Sequence, residues 1–164
     1  MITAQIVGDD KLIGKLRSLP GRMRPRLKQT VKVLTIKLQR YVKEKKLTGQ
    51  VLHVRTDNLR GSINQHVEET ATGAVGIVGT NVKYARILEF GGVTKPHDIV
   101  PVKKQALAFM GRDGSLVIRK LVHHPGSKIK EYRFLRGALA DMKPEILARL
   151  SADISTFVRE ELRP

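Results

Sequence analysis

Five histidines, His53, His66, His97, His123 and His124, are the residues of this chain best suited to proton transfer or metal binding. Their spacing argues against both. His123 and His124 are adjacent near the end of an expected strand, where successive side chains point to opposite faces. No helical i,i+4 histidine pair and no adjoining carboxylate completes a zinc site, so these read as surface histidines beside Pro125-Gly126. Glu68-Glu69 and Glu160-Glu161 read as solvated pairs rather than an acid–base dyad. Ser62, in "GSI", lacks the flanking glycines of a nucleophile elbow. "GRDGS", from Gly111, has neither the length nor the Lys-Ser/Thr ending of a phosphate loop. The absence of cysteine removes disulfides, thiolate nucleophiles and cysteine–zinc sites, and suits a reducing cytoplasm. The expectation is a protein that binds rather than catalyses, with no cofactor and no metal.

Charge points to what it binds. Lys and Arg number 31 against 15 Asp and Glu, a net charge of +16 over 164 residues. Such a field attracts phosphates and acidic protein surfaces alike. Aromatic residues are only 4% and Trp is absent, which leaves few rings on which single-stranded bases can stack. At 41% apolar the chain has enough material for a core, and its length suits one domain spanning 1–164. Its apolar runs are too short to span a bilayer. "MITAQIVGDD" has no basic segment leading into an apolar one, so no secretory signal is expected.

These residues must be positioned by an α+β fold. "DDKLIGKLRS" reads as a short helix closed by Leu19-Pro20-Gly21. A longer helix is expected from Pro25 to Lys46, with Leu27, Val31, Leu34, Leu38 and Tyr41 forming one apolar stripe. Its other faces carry Lys28, Lys32, Lys37 and Arg40, and a basic face of this kind can be solvated, bind phosphate or dock on an acidic partner. Asn64–Thr80 reads as two strands meeting near Thr72-Gly73, with Gly76 and Gly79 marking a close neighbour or a bulge. Ile99–Met110 and Ser115–His123 flank Asp113-Gly114, a signal for a tight primed turn. The sheet is expected within 63–123, with the long helices on one of its faces. A last helix, Phe134–Glu161, is expected from the near-helical spacing of Leu135, Leu139, Met142, Ile146, Leu150, Ile154, Phe157 and Leu162, and it contains Pro144, which must kink or restart it.

Between these elements lie short boxes in a fixed order: "RTDNLRGSI" (55–63), "VGT" (78–80) leading to "YARILEFGG" (84–92), and "YRFLRGAL" (132–139). Tyr84, Leu88 and Phe90 are expected to anchor a small element in the core. Glu89 then either meets Arg55 or another cation, or stays solvated. The order of boxes resembles the minor tail-component family of long-tailed bacteriophages, also described as tail-completion or head–tail joining proteins, over roughly residues 20–145. Arg55, Thr56, Leu59, Ser62 and Ile63 match its first box, with Asp57 where glycine is usual. Val78, Gly79, Thr80, Tyr84, Ala85, Glu89, Phe90 and Gly91 match the second, with Gly92 in place of a usual threonine. Phe134, Leu135 and Ala138 match the third, with Arg133 in place of proline.

The resemblance implies a virion protein of the neck or tail, assembled in the host cytoplasm. It would form a homo-oligomer, a ring of about six copies, since a heterologous contact that closes makes a ring. Its partners would be other neck and tail proteins, with possible non-specific contact to packaged DNA and none to membrane. Lys28, Lys32, Lys37 and Arg40 on the basic helix, and Arg112 at the hairpin, are the candidate contact residues. A tail terminator or neck adaptor is the alternative within morphogenesis, and a sequence-blind nucleic-acid-binding protein the alternative outside it.

Overall fold

A computed structural model describes residues 10–49, 57–71, 73–102 and 104–161. They fall into two compact units, one made of the chain up to Ala85 together with the segment from Arg133 onward, the other of Arg86–Tyr132. The architecture is α+β.

The first unit is built on helix α1, Asp10–Tyr41, continued by a π-helical turn over Val42–Lys46. The stop expected at Leu19-Pro20-Gly21 does not occur, and the backbone stays helical through both Pro20 and Pro25. A proline inside a helix leaves the carbonyl four residues earlier without its bond and crowds it. For Pro25 that carbonyl belongs to Gly21. Both residues are exposed, and nothing lies within 4 Å of where a Gly21 Cβ would be, so water can serve the freed carbonyl. The π turn has a packing reason. On an α-helix, residues five apart sit about 140° from each other. The wider turn, closed by Leu47 N–H on the Val42 carbonyl at 3.2 Å, lets Val42 and Leu47 both be fully buried.

Helix α2 (Asn58–Ser62) leads into the antiparallel hairpin β1 (Asn64–Thr70) and β2 (Gly73–Gly79), paired from Asn64↔Gly79 to Thr70↔Gly73. The hairpin's apolar pattern is inverted. Val75 and Ile77 point outward, while Gly76 and Ala74 share the other face with Val67. The small face lets α1 come close: a Cβ built on Gly76 would collide with the Thr35 hydroxyl and lie 3.2 Å from Val31 Cγ1. Thr35 is held there by donating to the Val31 carbonyl at 2.7 Å.

Helix α4, Phe134–Glu161, packs along α1 and the π turn and runs unbroken through Pro144. Pro144 and Ala140, whose carbonyl it frees, are both exposed. The buried side of α4 is Phe134, Ala138, Met142 and Phe157, whereas Leu139 and Ile154 of the expected stripe are exposed, as is Leu147 beside them. Leu162, the last residue of that stripe, lies outside the described residues. Phe134, Leu47, Ile63 and Val42 are the largest fully buried side chains. Each contributes roughly 1.5–3 kcal/mol by leaving water.

The second unit holds helix α3 (Ala85–Phe90, its first residue still in the first unit) and six short strands: β3 (Gly92–Val93), β4 (His97–Ile99), β5 (Leu107–Met110), β6 (Leu116–Arg119), β7 (Val122–His124) and β8 (Lys128–Ile129). They pair β3 with β8, β4 with β7 and β5 with β6, all antiparallel. The pairs are nested, so the unit is one interrupted two-stranded ribbon. The single sheet expected over 63–123 is therefore four two-stranded pieces. Pro101 has no N–H to offer a ladder and lies between β4 and β5, where one strand was expected. The ribbon tip also differs from a tight primed turn. Gly114 N–H bonds the Gly111 carbonyl at 3.1 Å, and Gly114 (φ 78) is the only residue of the loop with positive φ, so Asp113 keeps an ordinary conformation. At the ribbon base Tyr132 N–H reaches the Leu88 carbonyl at 2.8 Å. Gly91 (φ 70) passes so near the returning strand that a Cβ would stand 2.9 Å from Glu131 N.

Gly76→Val is expected to force α1 off β2 and lower stability by about 1–3 kcal/mol. Thr35→Ala in the same chain should return part of that loss, as read from a double-mutant cycle of thermal melts.

Candidate assembly surface

The basic residues of α1 do not all face solvent. Arg22 pairs with Glu161, Arg26 with Glu160 at 2.6 Å and more loosely with Asp153 at 3.9 Å, and Lys37 with Glu145. Thr30 hydrogen-bonds Asp153, and Tyr41 donates to Asp141 at 3.0 Å. Lys46, from the π turn, reaches the same Asp141 oxygen at 2.7 Å. The Arg26 guanidinium also stands 5.8 Å over the Phe157 ring. Partner numbers fall along α4 as they rise along α1, so the two helices are antiparallel and locked in register by opposite charge.

This seam uses Lys37 internally, and Lys28 pairs with Glu69 on β1. Two of the four expected contact residues on this helix are thus engaged within the subunit. Lys32 and Arg40 remain exposed, with no ion pair among the described residues, and the half-buried Lys43 lies on their side of the helix. Between them Val33 and Ile36 are exposed. A shallow groove beside this strip is lined by Gln29, Thr30, Val33, Leu34 and Arg149. The strip offers unpaired cations around a small apolar centre, the composition of a docking face. Glu160-Glu161, read as solvated, belong to the seam. The clue was available: Asp141, Glu145, Asp153 and Glu160 recur on one side of a 3.6-residue helix.

Asp141 is the most connected of these acids. The hydrogen bond from Lys46, then that from Tyr41, holds its carboxyl below the usual carboxylate range. The same bond to Asp141 is the main cause that raises the Tyr41 phenol.

The sequence boxes do structural work in the first unit. Leu59 and Ile63 are buried, and Ser62 and Thr80 come together at 2.6 Å. Ser62 Oγ donates to the Leu59 carbonyl at 2.7 Å, and Val82 N–H donates to Thr80 Oγ1 at 3.2 Å. One proton order satisfies all three contacts: Val82 N–H to Thr80, the Thr80 hydroxyl to Ser62, and the Ser62 hydroxyl to Leu59. The first and second boxes are therefore joined directly. Gln39 on α1 ties in by donating to the Ile63 carbonyl at 2.7 Å. Arg55 and Thr56 lie outside the described residues, as does His53. In the third box Phe134 and Ala138 are fully buried and Leu135 is half-buried. Arg133, just before them, has φ 51, a conformation closed to the proline of the family pattern.

In the second box the expected anchors are reversed. Tyr84 is 44% exposed and Phe90 58% exposed, while Glu89 is 4% exposed. Glu89 is not an unpaired charge. On a six-residue helix, direction around the axis decides burial, and Glu89 lies one turn from the buried Ala85, on the same face. On the ribbon, the His97 and His124 rings stack at 5.1 Å, and His123 Nδ1 meets Asp98 at 2.8 Å. Asp98 is the carboxylate beside His123 that linear spacing did not place, because strand register brings it there. Arg112 is exposed at the ribbon tip. Among the described residues no group of three or more His, Asp or Glu is placed to hold a metal ion, and no helix is long and apolar enough to cross a membrane.

Residues 10–91, which hold α1, the first hairpin and the first two boxes, match the family described as "Bacteriophage HK97-gp10, putative tail-component". The chain belongs to this family of phage tail components. It is a structural protein of the virion tail, working among other tail proteins. No curated protein and no solved structure matches the chain.

Because Asp141 is held below its ordinary range, the stability it lends is fully present above the unfolded carboxylate value. It is lost as pH falls through the folded value. Asp141→Asn should therefore lower the melting temperature of the tail component at neutral pH, and the gap to the parent should shrink on acidification toward about pH 3. Arg133→Pro should cost more than about 1 kcal/mol, because the required φ is unavailable to it. Arg133→Gly should melt near the parent, and denaturant titrations of the two variants test the point.

Proposed function

We propose that this tail component acts at the neck end of the tail, completing it and joining it to the head as a closed homo-oligomeric ring of about six copies. One observation carries the reading. After the seam with α4 is satisfied, Lys32 and Arg40 have no ion pair among the described residues, with Lys43 beside them, around the exposed Val33 and Ile36. Cations of one sign speed and orient encounter with acidic neck or tail proteins. Burial of the apolar pair then slows release. The subunit itself behaves as one domain, its units contributing separate surfaces to the assembly.

In phage carrying Lys32→Glu together with Arg40→Glu, the subunit should melt like the parent, because neither residue has an ion pair to lose among the described residues. Filled heads and finished tails should then accumulate unjoined in electron micrographs, and normal particles would overturn the assignment. The end of an isolated tail that the protein decorates separates a completion role from that of a terminator or neck adaptor. Binding to duplex DNA that weakens log-linearly with salt, by about 0.9 per phosphate contacted, would assign the strip to packaged DNA instead.

A further inference from the structure

The hairpin at the ribbon tip breaks a rule that governs small β structures. Two strands alone are marginal in water, and they need a third strand or a covering element. Among the described residues β5 and β6 pair only with each other. Their register places Ala108, Met110, Leu116 and Ile118 on one face and Leu107, Phe109, Val117 and Arg119 on the other. On the first face Met110 is 66% exposed, Leu116 64% and Ile118 58%. Phe109 is exposed on the second face. The apolar surface is therefore two-sided, four residues deep and uncovered.

Its charged neighbours are positive apart from Asp113. Arg112 stands at the turn, and Arg119 and Lys120 at the foot of β6, each exposed and without a salt bridge among the described residues. Asp113 is the one acid at the tip, and it is turned inward, accepting from Ser115 N at 3.1 Å and from Ser115 Oγ at 2.8 Å. A partner for this tip needs an apolar cleft with carboxylates around its mouth. A second copy of the chain is a poor source, because among the described residues few of its carboxylates, such as that of the exposed Glu44, lack a partner. Asp141, Glu145, Asp153, Glu160 and Glu161 are held by α1, Glu69 by Lys28 and Asp98 by His123.

We propose that the β5–β6 hairpin is a docking finger that inserts into an acid-rimmed apolar cleft on a different protein of the tail or neck. The proposal deepens the tail-assembly reading above and rests on it. Both finger faces are buried on insertion, which supplies the cover a lone hairpin lacks, while Arg119 and Lys120 at its foot meet the carboxylate rim and Arg112 at its tip meets an acid deeper in the cleft.

The test uses whole phage in which Leu116 is replaced by photoreactive p-benzoylphenylalanine. Irradiation of purified particles should crosslink the chain to another virion protein, at a segment containing Asp or Glu. A crosslink to a second copy of this chain, to DNA or to nothing overturns the proposal. Leu116→Asp is expected to cut incorporation into particles at least about tenfold, a loss of ~1.4 kcal/mol in affinity. Incorporation at the parent level counts against the finger. Arg112→Glu, at an exposed turn position, covers the case in which Leu116→Asp fails to fold. It should also reduce incorporation, and an unchanged level overturns the acid deep in the cleft. The two readings fail separately. Absence of the parent protein from purified particles removes the tail-assembly role itself, whereas normal particles containing Leu116→Asp protein remove only the finger.

Discussion

Opposite charge facing across α1 and α4 is the constraint on which the rest of the subunit depends. Over residues 10–46 the chain carries 13 Lys and Arg against two acids, Asp10 and Glu44. Like charges one turn apart on a helix repel. Left alone, such a segment with two prolines in it would be a poor helix. Carboxylates on α4 answer the cations at Arg22, Arg26, Lys37 and Lys46. Exposed pairs of this kind give about 0–1 kcal/mol each, so they do not supply the bulk of the stability. They fix register and direction, and the burial of Phe134, Val42, Leu47 and Ile63 then holds what register has aligned. Because the seam absorbs one side of α1, the side left over is defined as well, and that side is where Lys32 and Arg40 stand.

The sequence boxes that mark the family have a physical meaning once the fold is seen. Ser62 and Thr80, far apart in the chain, share a hydrogen-bond relay that fixes where β1 leaves α2 and where β2 ends. Ile63 and Phe134 fill the core that this relay frames. Gly91 lets the ribbon leave α3 past a neighbour too close for any side chain. The aromatic pair Tyr84 and Phe90 stands at the surface while Glu89 is inside. An acid kept from water beside exposed rings is an arrangement that serves orientation more than stability.

Much of this was legible in the residues. The two strands either side of Thr72-Gly73, the close neighbour at Gly76, and the helix from Phe134 to Glu161 all follow from local chemistry and appear as expected. What failed was local reasoning about features decided by distant groups. Leu19-Pro20-Gly21 is a stop signal by its own chemistry, but the seam begins at Arg22 and holds the segment beyond it as helix. Phe90 is apolar and Glu89 charged, yet the rotation of a single short helix outranks hydrophobicity. The outward turn of Leu139, Leu147 and Ile154 was hidden because α4 carries apolar residues on more than one side, and only its partner says which side is inner. The Asp98–His123 pair required a strand register that no linear spacing contains.

The nesting of the ribbon also sets an order in time. Joining β3 to β8 first would close the whole intervening chain in one step, with a large loss of loop entropy. Starting at Gly111–Ser115 closes a handful of residues, and each completed rung shortens the loop that the next must close. The arm is therefore a zipper running from its far end toward its root, with low contact order at every stage. Gly91, at the root, is then among the last positions of the ribbon to take its left-handed conformation.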